Sequence, residues 1–137
     1  MSDPNSILTN RQKNVCEYSA TFGVLLTLTC LIQHLIIAIP GPVYILMFFG
    51  YVFAIISFLL LGFQIHFSVF LLIISAAISL IIEFLWMANF AFSLVVLLLF
   101  LYHGVIVVVV FVEGIPKKLR MKSAAAKAER DLWAGKF

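Results

Sequence analysis

Three side chains invite a chemical reading because of where they sit. Glu83, His34 and His103 are titratable groups inside long apolar runs. At membrane depth a polar or ionisable residue is costly, so each is a functional candidate by default. Counting at about 1.5 Å per residue, Glu83 falls ~5 Å, and His34 ~8 Å, below the same outer boundary. If the first and third apolar segments touch, the two form a carboxyl–imidazole pair able to bind or relay a proton or cation. The competing expectation is structural: near an interface a glutamate reaches water and a histidine finds a hydrogen-bonding neighbour.

His103 lies deeper, ~14 Å from the inner boundary by the same count. Two intramembrane histidines raise the question of bis-histidine haem ligation, but His34 and His103 stand at different depths, so no haem is expected. A hydrogen bond from His103 to a facing hydroxyl or amide is the simpler expectation. His66, with Gln64, falls in a polar turn where solvation accounts for both. No H-E-x-x-H or C-x-x-C spacing is present, so no metal site and no cofactor are expected. Catalysis is not expected either. It needs a cluster of nucleophile, acid, base or metal ligands, and the apolar segments offer one carboxyl, two separated histidines and no lysine or arginine.

The elements that would position these groups follow from solvent physics. Only 11% of the 137 residues are charged, where a soluble domain carries roughly a quarter. Between Ser19 and Val112 the one formally charged side chain is Glu83. A span needs about 20 apolar residues, so this block holds four, at about 19–39, 42–61, 67–86 and 90–112. The breaks are Pro40-Gly41-Pro42, Gly62–His66 and Ala88–Phe90, and Glu113-Gly114-Ile115-Pro116 ends the last span. Proline and glycine there stop helices by removing a donor or permitting a left-handed turn. Three longer spans running through the Gly62–His66 break are the rival count. Lipid cannot satisfy open backbone groups, and barrel-strand alternation is missing, so helices are required. The fold expected is an all-α membrane protein, an antiparallel four-helix bundle with very short loops.

Charge sets the ends apart. Residues 1–18 are net neutral, whereas residues 113–137 carry seven lysines and arginines against three acids. Positive charge beside a membrane block reads as a cytoplasmic flank, which puts both termini there and argues against nucleic acid as a partner. No cleavable leader is evident, so the first span is expected to stay as a signal anchor. Met121, Ala125, Ala128 and Leu132 recur at spacings 4, 3 and 4, so a cytoplasmic amphipathic helix is expected there. Its partners would be anionic lipid headgroups or another subunit. Cys16 and Cys30, about 21 Å apart along one helix, are too distant for a disulfide.

Small residues suggest how the spans pack. Gly50 and Ala54 on the second, and Ser75 and Ser79 on the third, form small-x-x-x-small pairs at matching depths, a register for close approach with serines bonding backbone across the seam. Few polar groups at depth and nearly loopless spans favour a non-catalytic accessory or scaffolding subunit of a larger membrane complex. The alternative is a small homo-oligomeric transporter or channel using Glu83 and His34.

Overall fold

The computed structural model describes residues 3–136. Every regular element among them is helical: a 3-10 turn at Pro4–Ser6, then α1 (Asn10–Ile37), α2 (Pro42–Gly62), α3 (Ser68–Asn89), α4 (Leu94–Val112) and α5 (Ile115–Ala134). α1 through α4 are each long and apolar enough to cross a membrane.

α1 starts well before the apolar block, because Thr9 and Gln12 form a reciprocal capping box that satisfies two otherwise unpaired backbone donors. With 28 residues it extends about 42 Å. That exceeds the hydrocarbon thickness and leaves its polar first turns, with Arg11 and Lys13, beyond the apolar zone. Its inward face is Gln12, Cys16, Ser19, Ala20, Gly23, Thr27, Cys30 and His34. Its outward face is Tyr18, Phe22, Leu25, Ile32 and Leu35, all more than half exposed. Small and polar inside, large and apolar outside, is the reverse of a water-soluble helix. It is the arrangement expected when the solvent is lipid and helices associate by close packing.

α1 packs on α2 and α4, and α3 packs on α2 and α4, so each spanning helix has two neighbours and α1 faces α3 across the centre. The tightest approach is at Gly23, where an added Cβ would collide with the Phe58 ring of α2. At Gly50 an added Cβ would sit 2.6 Å from Ile82 Cδ1 of α3. The α2–α3 seam therefore closes on isoleucines rather than on Ser79.

Two reversals differ in detail from the sequence expectation. α3 runs on through Ala88 and Asn89, helped by the Asn89 amide donating to Leu85 O at 2.9 Å. The chain turns instead over Phe90–Ser93, where Ser93 Oγ accepts from Val96 N–H and starts α4 at Leu94. In the α2–α3 turn the left-handed residue is Gln64 (φ 59°), not Gly62, which ends α2 in helical conformation. Gly114 (φ 67°) supplies the other left-handed position and separates α4 from α5.

At the base, where both chain ends lie, Leu8, Ile115 and Leu119 are buried together with the core. Arg11 pairs with Glu113 at 2.6 Å, and Gln12 Nε2 donates to the Glu113 carbonyl at 2.8 Å. Lys122 Nζ donates to Gln64 Oε1 at 2.6 Å, which ties α5 to the α2–α3 turn.

Candidate functional site

The polar side chains singled out from sequence occupy two levels of the interior. His34, near the end of α1, is fully buried within an aromatic group. Tyr44 stacks on it at 4.2 Å between ring centroids, Tyr51 meets it edge-on at 5.5 Å, and Trp86 does so at 6.5 Å. Trp86 Nε1–H donates to the Tyr51 hydroxyl at 2.9 Å, closing the group across α2 and α3. Neither ring nitrogen of His34 has a hydrogen-bond partner among the described residues.

Glu83 is on α3, one turn before Trp86, and is 5% exposed. Both its carboxyl oxygens are also unpartnered among the described residues. The structure thus brings Glu83 and His34 to the same end of the protein without joining them in a hydrogen bond. The reason is topological. α1 and α3 are diagonal rather than adjacent, and α3 reaches His34 through the Trp86 ring. Each unpartnered buried group costs about 1–3 kcal/mol, so this end holds polar capacity that packing has not consumed. Beside it, Ser93 Oγ–H donates to Gln33 Oε1 at 2.9 Å and Cys30 Sγ–H donates to Val95 O at 3.5 Å, both linking α1 to α4.

The second level centres on His103, also fully buried. Its Nδ1 lies 2.8 Å from Leu99 O, one turn back on α4, and its Nε2 lies 2.8 Å from Ser75 Oγ on α3. A carbonyl can only accept, so Nδ1 carries the proton, and in the neutral ring Nε2 accepts from the serine hydroxyl. Phe58 packs on the imidazole at 4.7 Å. Both nitrogens are engaged, and this histidine ties two helices together.

The small residues are redistributed accordingly. Ser75 spends its hydroxyl on α4 rather than across the α2 seam, and Ser79 Oγ–H donates to Ala76 O in its own helix. Ala54 is buried. Ser57 on α2 is the serine that lies at the α2–α3 seam, its hydroxyl donating to Phe53 O of its own helix at 2.8 Å, with Leu71 O of α3 a long contact beyond at 3.5 Å. Sequence reasoning passed over Ser57, as it did the aromatic group around His34. The available signal was spacing: Tyr44 and Tyr51 are seven residues apart, hence on one face of α2, and Trp86 is i+3 from Glu83.

Cys16 and Cys30 are free and buried. Among the described residues no three His, Cys, Asp or Glu side chains gather as a metal-holding group.

The His103 pair makes a direct prediction. Ser75→Ala leaves Nε2 buried without a partner and should destabilise the protein by about 0.6–2 kcal/mol. Combining it with His103→Phe removes both polar partners and should cost less than the two single changes added together. Unfolding midpoints in mild detergent for the two singles and the double close this cycle; strict additivity would show that the contact carries no coupling.

Compared with protein-family models, with curated proteins and with solved structures, the chain matches none of them.

Proposed function

We propose that this protein is a non-catalytic accessory or scaffolding subunit of a larger membrane complex, built as an antiparallel four-helix transmembrane bundle with a docking helix on its cytoplasmic face. One observation carries the reading. α5 is held to the bundle by Ile115 and Leu119, then continues as helix to Ala134 with Met121, Leu132 and Trp133 at least half exposed. Met121, Ala125, Ala128 and Leu132 make an apolar stripe beside Lys122, Lys127 and Arg130, with Trp133 turned about 100° from Leu132. A helix that continues past its own packing contacts with an apolar stripe outward is suited to seat a second surface. Native mass analysis after gentle detergent extraction tests this. The expected result is stoichiometric recovery with larger membrane proteins, reduced severalfold by Leu132→Glu. Recovery alone, or only as a homo-oligomer, would sink the subunit reading.

The orientation proposed, both termini cytoplasmic, rests on the basic residues of α5 and the absence of lysine and arginine from the turns at the opposite end. Cys16 and Cys30 are first replaced to remove background. A cysteine at Ser123 should then react with an impermeant maleimide from the cytoplasmic side, and one at Asn89 from the other. Labelling of both from one side contradicts the topology.

A second reading has its own support in the unpartnered pair. Glu83 and His34 are buried at one end of the bundle with free hydrogen-bonding capacity, as a proton- or cation-coupled transporter would require. Under that reading Glu83→Gln abolishes pH-driven flux in proteoliposomes. Flux unchanged from the wild type removes Glu83 from any transport mechanism.

A further inference from the structure

A groove of about 370 Å³ opens at the base where α3, α4 and α5 meet. At its rim are His66, in the α2–α3 turn, and Arg120, in the second turn of α5. Its walls continue along the first two turns of α3 through Phe70 and Ile73, and across to Phe111 near the end of α4. Phe70, Ile73 and Phe111 are all exposed. The groove is therefore basic at the interfacial end and wholly apolar toward the membrane interior.

The surrounding charge is one-sided. Among the described residues the one salt bridge is Arg11–Glu113, so the acid at the α4–α5 junction is paired and Arg120 has no carboxylate within ion-pair distance. Neither α3 nor α5 has an acidic residue in its first turn, and α5 begins with Lys117 and Lys118. The positive ends of the α3 and α5 dipoles lie here against the negative end of α4 at Val112, so the sign of the rim is set by its side chains. An arginine with no internal counter-charge, placed at the headgroup level above an apolar trough, is complementary to one class of molecule.

We infer that this groove seats one anionic phospholipid, its phosphate held by Arg120 and His66 and an acyl chain laid along Phe70, Ile73 and Phe111. Basic recesses at the cytoplasmic ends of spanning helices hold acidic headgroups by this combination of charge and apolar depth. The inference rests on the membrane-spanning reading of α3 and α4. It is independent of whether the protein is a subunit, because co-purification and lipid retention are separate readouts.

The test is native mass spectrometry of the full chain in mild detergent with phosphatidylglycerol or phosphatidylcholine of identical acyl chains. Wild type should retain one phosphatidylglycerol in preference to phosphatidylcholine. Arg120→Gln should cut that retention about tenfold, the scale of one charge-assisted hydrogen bond to a phosphate. Lys127→Gln removes the same charge from the same helix outside the groove and should leave retention unchanged. Ile73→Trp should lower it by filling the apolar end, and glycerol phosphate, which has the headgroup chemistry without chains, should not displace the lipid. Arg120 is exposed, so its replacement leaves the core intact, and helicity of each variant checks this. Equal retention of the two lipids overturns the inference. So does an equal loss in Lys127→Gln, or displacement by glycerol phosphate.

Discussion

The constraint on which this structure depends is that its four long helices are apolar enough to require a hydrocarbon-like solvent over most of their length. In water the burial of leucine and phenylalanine would drive the helices together; in lipid those side chains gain little by turning inward. The residues that do gain are those lipid cannot serve: hydroxyls, amides, imidazoles and glycines that allow backbones to approach. α1 shows the outcome most plainly. Its fully buried positions, from Gln12 to His34, hold no large aliphatic side chain; Leu26 and Leu31 pack only at the edge of the core, while Leu25, Ile32 and Leu35 face out. Hydroxyls without a neighbour turn back on their own helix, as Thr27 does on Gly23 O at 2.7 Å and Thr29 on Leu25 O at 3.0 Å.

Cross-helix polar contacts then act as pins at successive levels. Gln33–Ser93 and Tyr102–Ser19 O fasten α1 to α4, Trp86–Tyr51 fastens α2 to α3, and Ser75–His103 fastens α3 to α4. The α1–α2 pair relies on shape, with Gly23 against Phe58 and Tyr44 stacked on His34. Each hydrogen bond of this kind averages only ~0.6 kcal/mol in a membrane, so their value lies in specifying register. A one-residue slip of α4 would rotate His103 by about 100° and separate it from Ser75.

The presence of four helices long and apolar enough to span a membrane was legible in the sequence because it depends on a property every residue reports, its transfer energy between water and lipid; the start of α1 at Asn10 was not, since a polar capping box sets it. Pro40–Pro42 and Gly114-Ile115-Pro116 were legible too, since proline and glycine restrict backbone geometry whatever surrounds them. The α3–α4 reversal was less so. Asn89 is a turn residue by statistics, but here its amide bonds to Leu85 O and helix continues until Ser93 can cap the next one. Side-chain partnerships were least legible. Matching depths put Ser75 opposite Ala54, yet rotation about each helix axis decides which neighbour a side chain meets, and depth says nothing about rotation. Ser75 therefore meets His103, and the α2–α3 seam is left to Gly50 against Ile82 and to the Trp86–Tyr51 bond.

The two buried histidines separate stability from function. His103 has a partner on each nitrogen, so its polarity is repaid in register and nothing remains to bind anything else. His34 and Glu83 lie nearer the end of the protein than His103 and have no such repayment. Apolar residues would fill the space around Tyr44, Tyr51 and Trp86 at lower cost, because replacing unsatisfied polar groups by apolar ones of similar shape is neutral or stabilising. A packing role alone thus explains His103 and leaves the His34–Glu83 end unexplained. That asymmetry makes this end of the protein, rather than its middle, the place where a mechanism beyond assembly would reside.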